Sequence, residues 1–119
     1  MMTTQEVAQR LYELCEKGDS ATAHNELYAG HATSTESNMQ GQRETDSGLD
    51  AIKAKSKKFM DAVEEWHGGY TNPPVVFGKY IFMEMGLDAT MRGMGRITMK
   101  EMAKYEVNNG KVVSEEFFY

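Results

Sequence analysis

From Tyr80 onward apolar side chains fall on every second residue, whereas before Pro73 they recur every third or fourth. That change of period, 3.6 before and 2 after, most constrains the fold, because helices and strands display side chains with those two periods. Ile81, Met83, Met85, Leu87, Ala89 and Met91, then Met99, Glu101, Ala103, Tyr105 and Val107, occupy odd positions. Between them lie Phe82, Glu84, Gly86, Asp88 and Thr90, then Thr98, Lys100, Met102, Lys104 and Glu106, a largely polar set. Three strands are expected, about Tyr80 to Met91, Ile97 to Val107 and Lys111 to Tyr119. Asn108, Asn109 and Gly110 form the last hairpin turn.

The first half reads as helices. Val7, Leu11, Leu14 and Cys15 share one face, with Thr3 or Thr4 as N-cap and Gly18 as terminator. A second short helix is expected from Asp19 to Tyr28. Ala32 to Asp46 is rich in Thr, Ser, Asn, Gln and Gly, and only Ala32 to Ser37 has strand character. A long helix then starts at Asp50, carries Ile52, Phe59, Met60, Val63 and Trp66 on one stripe, and stops at Gly68 and Gly69. Pro73 and Pro74 delay the next strand to about Val75. Helices followed by an antiparallel sheet predict one α+β domain over residues 1–119, with helices covering one sheet face.

Thirteen Lys and Arg against 18 Asp and Glu give a formal charge of −5. Such a chain offers no electrostatic footprint for nucleic acid or an anionic membrane. No apolar run approaches the roughly 20 residues of a membrane span, and Met1 to Arg10 lack the pattern of a secretory signal. The one cysteine, Cys15, sits on an apolar helix face and reads as a buried thiol. A cytoplasmic location is expected.

The ending from Tyr105 through Val107, Asn108, Asn109, Gly110, Lys111 and Val112 to Tyr119 resembles the SnoaL-like polyketide cyclase group of the nuclear transport factor two-like superfamily. So do Gly18 and Asp19 between two helices, the stretch from Tyr28 to Ala32 before a first strand, and Gly48 to Ile52 at the start of a helix. The resemblance implies a curved mixed sheet wrapped around a long helix, a cone-shaped pocket and, often, a homodimer. It spans ketosteroid isomerases, dehydratases, cyclases and noncatalytic binding proteins, so the fold does not choose among them. By analogy with the isomerase branch, a general base would fall at Glu36. That branch's tyrosine and acid donors would fall at Leu11 and Ala103, so steroid isomerase activity is not expected.

With odd residues inward, the same register puts Val113, Glu115, Phe117 and Tyr119 of the last strand toward the helices. Glu101 and Glu115 then interrupt an apolar surface. Either they are solvated or paired at the mouth of the cone, or they are carboxyl groups tuned for proton transfer or substrate hydrogen bonding. Glu101, Glu115, Glu36 and His31 are the candidate catalytic residues. Trp66, Met85, Leu87, Met91, Met99, Tyr105, Phe117 and Tyr119 are the candidate ligand-binding residues. Ten methionines, six of them between Met83 and Met102, suit either core filling or a pocket for a shape-variable ligand. His24, His31 and His67 have no metal-binding spacing, and no metal or organic cofactor is expected.

Two functions of different class follow. One is a small-molecule binding domain for an apolar organic ligand, extending to cofactor-independent acid/base chemistry of isomerase, cyclase or dehydratase type. The other is a noncatalytic dimeric binding or interaction module. Phe82, Met102, Val112 and Phe118, apolar on the outward face, are the expected dimer patch.

Overall fold

A computed structural model describes all 119 residues. Helix α1 covers Thr4–Glu16 and opens with a capping box, Glu6 N donating to Thr3 Oγ1 at 3.1 Å while Thr3 N donates to the Glu6 carboxylate at 2.9 Å. Helix α2, Ser20–Leu27, is capped by Asp19, which accepts from Thr22 N at 3.0 Å. Helix α3 covers Leu49–Ala62 and is preceded by Gly48 at φ 94°, a conformation suited to glycine. Asp50 is therefore not the cap; it lies in the first turn, where its charge meets the helix dipole favourably.

The strands are β1 (Tyr28–Ser37), β2 (Arg43–Ser47), β3 (Val63–Thr71), β4 (Val75–Phe77), β5 (Tyr80–Met91), β6 (Gly95–Asn108) and β7 (Lys111–Phe118). They form one mixed sheet in the order β2-β1-β7-β6-β5-β3, with β4 also on β5. Only the β1–β7 pairing is parallel. Three helices on this sheet make the expected α+β fold.

Three expectations are corrected. The long helix does not reach Trp66: from Val63 the chain is strand β3, paired with β5 so that Trp66 lies opposite Ala89. A β-branched and aromatic segment beside a twelve-residue strand gains ladder hydrogen bonds there, and these override a helical stripe that continues only in sequence. The polar segment before α3 holds strand β2, joined to β1 by a turn in which the Asn38 side chain accepts from the Gln40 and Gln42 amides, both at 2.9 Å. Val112, expected outward, is fully buried. The β6–β7 register shifts between Glu106 and Val107, so that Val107 pairs with Val112 while Glu106 pairs with Ser114. This bulge accommodates Val113 and restores Glu115 and Phe117 to the inner face.

The core joins Val7, Leu11 and Leu14 of α1 to Leu27, Ile52, Ile81, Met83 and Val112. Each such side chain, fully buried, contributes roughly 1.5–3 kcal/mol. Helix α3 rests across β1, and α1 packs on α2. The odd residues of β5 and β6 therefore look into the space beneath the helices.

Candidate functional site

Between helices and sheet lies a cavity of about 390 Å³. Met85, Leu87, Met99, Glu101, Tyr105, Glu115 and Phe117 line its sheet side; Leu11, Cys15, His24, Ile52, Phe59 and Met60 line its helix side. Register explains the sheet side, since Met85 pairs with Glu101, Leu87 with Met99, Ala103 with Phe117, and Tyr105 with Glu115. A second cavity of about 480 Å³ adjoins it, bounded by Lys17 and Gly18 after α1 and by Gly68 and Gly69 of β3.

Two carboxyl groups in this cavity have different surroundings. Glu115, 5% exposed, accepts hydrogen bonds from the Tyr28 hydroxyl and, at 2.7 Å, from Ser34 Oγ. Ser34 lies beside it because β1 and β7 run parallel with those two residues in register. Lys55 Nζ on α3 donates to the same Ser34 Oγ at 2.7 Å and sits 3.5 Å from Asp46 and 3.8 Å from Glu36. Tyr28, Glu115, Ser34, Lys55, Glu36 and Asp46 thus form one continuous polar chain. Burial still holds the Glu115 carboxyl above its ordinary pKa, against the two hydrogen bonds that lower it.

Glu101 belongs to no such chain. Burial first, then the charges of Glu36 and Glu115, push its carboxyl up to about 7, with Lys55 opposing and no hydrogen bond contributing. It is a protonatable group beside Met85, Met99 and Tyr105 that exchanges its proton near neutrality. Burial also drives the Tyr28 and Tyr105 hydroxyls well above their ordinary value and the Cys15 thiol up to about 12, so none of the three ionises near neutrality. His24, edge-on to Tyr28 at 4.8 Å between centroids, is lowered by burial and by Lys53 and Lys55, which favours the neutral imidazole.

Of the residues singled out from sequence, Glu36, Glu101, Glu115, Trp66, Met85, Leu87, Met99, Tyr105, Phe117 and Tyr119 meet at the cavity. Two do not. His31 is exposed, because a register shift between Tyr28 and Thr33 resets the phase of β1 and turns Ala32 and Ser34 inward instead. Met91 is buried at the far end of β5 opposite Val63 and Gly95, outside the lining. Tyr28, Ser34, Lys55 and His24 are the site residues that sequence reasoning passed over. The one available signal was the spacing of Ala32, Ser34 and Glu36, which alternates like a strand with one face inward. No group of three His, Cys, Asp or Glu side chains is arranged to hold a metal ion, and no helix is long and apolar enough to cross a membrane.

The model of the SnoaL-like domain matches residues 2–119. The chain belongs to the SnoaL-like family. A candidate SnoaL-like polyketide cyclase from Mesorhizobium loti, also labelled carbohydrate phosphatase, is 34% identical at a TM-score of 0.90, over 99% of this chain and 100% of that one. A cystatin-like protein of unknown function from Xanthomonas campestris shares the fold at 16% identity and TM-score 0.79, over 98% of this SnoaL-like chain and 90% of that one. A protein from Catenulispora acidiphila with a ketosteroid isomerase-like fold, solved with trimethylamine, matches at 14% identity and TM-score 0.73, covering 98% and 87%. No curated protein matches the chain.

Proposed function

We propose that this SnoaL-like domain binds a small, largely apolar organic molecule in the cavity under α1–α3 and moves a proton on it with Glu101. The observation that carries this reading is the Glu101 carboxyl, held in an apolar wall without a hydrogen-bonding partner and titrating at about 7. A carboxylate in such a wall can take a proton from a carbon next to a carbonyl, and the same group, protonated, can return it. The Tyr105 hydroxyl, on the same face four residues along β6, is a donor for the developing oxyanion. Glu36 and Glu115 act on Glu101 through their charge. This chemistry needs no metal or organic cofactor. The working form is a cytoplasmic homodimer joined through the outer face of the sheet.

Deuterium uptake tests the reading. With β-tetralone in heavy water, exchange at the carbon next to the carbonyl is expected with the wild type and is lost in Glu101→Gln. Binding of β-tetralone without exchange would support a noncatalytic binding module, which the full pairing of Glu115 by Tyr28 and Ser34 favours. Absence of both binding and exchange would overturn the reading.

A further inference from the structure

We infer that the two adjoining cavities are halves of one site for an elongated ligand, with a compact head in the inner cavity and a flexible apolar tail in the outer one. At rest the halves are parted by the side chains of Met60, Trp66, Met85, Leu87, Met99 and Glu101. The inference rests on the reading that the inner cavity binds an organic molecule, and adds the shape of that molecule.

All six residues line both cavities, together with Cys15 and Gly18 at the end of α1, so the partition between the halves is made mainly of side chains. Three of the six are methionines. A thioether on three rotatable bonds changes shape at little cost, which suits a wall that must yield. Met60 on α3 and Met85 and Met99 on the sheet are half-buried or exposed, whereas Met83 and Met91 of β5 are 1% and 4% exposed. Of the three only Met85 packs against the core, so core filling does not account for Met60 and Met99.

The outer half has a glycine-rich floor. Gly68 and Gly69 of β3 carry no side chain there, and the Tyr70 ring packs on Gly86 of β5. A Cβ at Gly69 would stand 2.8 Å from the Gly86 carbonyl oxygen, so a side chain is excluded on steric grounds. The bare Gly68–Gly69 backbone leaves room for an apolar chain to lie along it. The opposite bank is the end of α1, Cys15 and Glu16, and the Lys17–Gly18 turn that follows it. A molecule that fits only the inner cavity leaves this trough unused; one with a tail crosses the methionine wall and occupies it.

The test compares para-ethylphenol with para-octylphenol by amide chemical shifts and by fluorescence of Trp66, the chain's one tryptophan. Ala23 and Tyr28 line only the inner cavity, and Lys17, Gly68 and Gly69 only the outer. Both probes should shift Ala23 and Tyr28, and only the octyl compound should also shift Lys17, Gly68 and Gly69. Its affinity should rise by about fourfold for each methylene taken up. Shifts confined to Ala23 and Tyr28 with both probes, or equal affinities, would overturn the elongated site and leave the inner-cavity reading standing. If neither probe moves Ala23 and Tyr28, both readings fall.

Discussion

The Tyr28 hydroxyl donates to the Glu115 carboxylate across 87 residues of sequence, tying the first residue of β1 to the seventh strand. Ser34 holds the other oxygen of the same carboxylate. Tyr28→Phe should leave one carboxylate oxygen buried without its donor, at a cost of about 1–3 kcal/mol. Urea unfolding of the two proteins measures the difference, and equal midpoints would show that the bond contributes nothing to stability.

Glu101 should control how stability depends on pH. Its native pKa of about 7 lies above the ordinary 4.5, so the native state holds the proton more tightly than the unfolded chain. The associated stability is complete below about pH 4.5 and is lost as pH rises through about 7. Glu101→Gln removes this slope. The variant should match the wild type near pH 4 and exceed it by on the order of 1–3 kcal/mol near pH 8. An NMR titration placing Glu101 at or below 4.5 would eliminate both the slope and the proposed proton transfer.

Lys55 should tune Glu101 from a distance. Its charge lowers the Glu101 pKa, so Lys55→Met should move the Glu101 titration above its wild-type midpoint. The same change leaves Glu36 and Asp46 without their shared cation. A carboxyl titration showing no upward movement would mean that solvent screens the pair.

The dimer patch is smaller than the sequence suggested, because Val112 belongs to the core. Half-buried Phe82 on β5 remains, with Met102 and Phe118, which are paired in register across β6 and β7 and 41% and 46% exposed. Light scattering should give twice the 13.4 kDa of one chain, and Met102→Glu combined with Phe118→Glu should halve it. A wild-type mass of one chain would dismiss this interface.

Most of the cavity wall was legible because β5 and β6 obey a strict alternation, which put Met85, Leu87, Met99, Glu101 and Tyr105 on one face before any pairing was known. The polar chain was not. Tyr28, Ser34 and Lys55 meet Glu115 only because β1 lies parallel to β7, and a parallel pairing between distant strands leaves no local pattern. Trp66 reaches the pocket from β3 rather than from a helix, because the apolar stripe of α3 and the strand that follows direct side chains toward the same space. His31 and Val112 depart from expectation for a shared reason. Each lies beside a register shift, and one extra residue inverts the inside and outside of everything counted through it.

Strand β7 lies in the interior of the sheet, between β1 and β6, although it is the last of the seven in chain order. Without residues 111–118 the β1–β2 pair and the β3–β5–β6 group are two separate ribbons, with β1 and β6 each left as an open edge. The strand that carries Glu115 is thus the keystone of the sheet. A chain lacking it has neither a continuous sheet nor a complete cavity, and its two unpaired edges are open to aggregation.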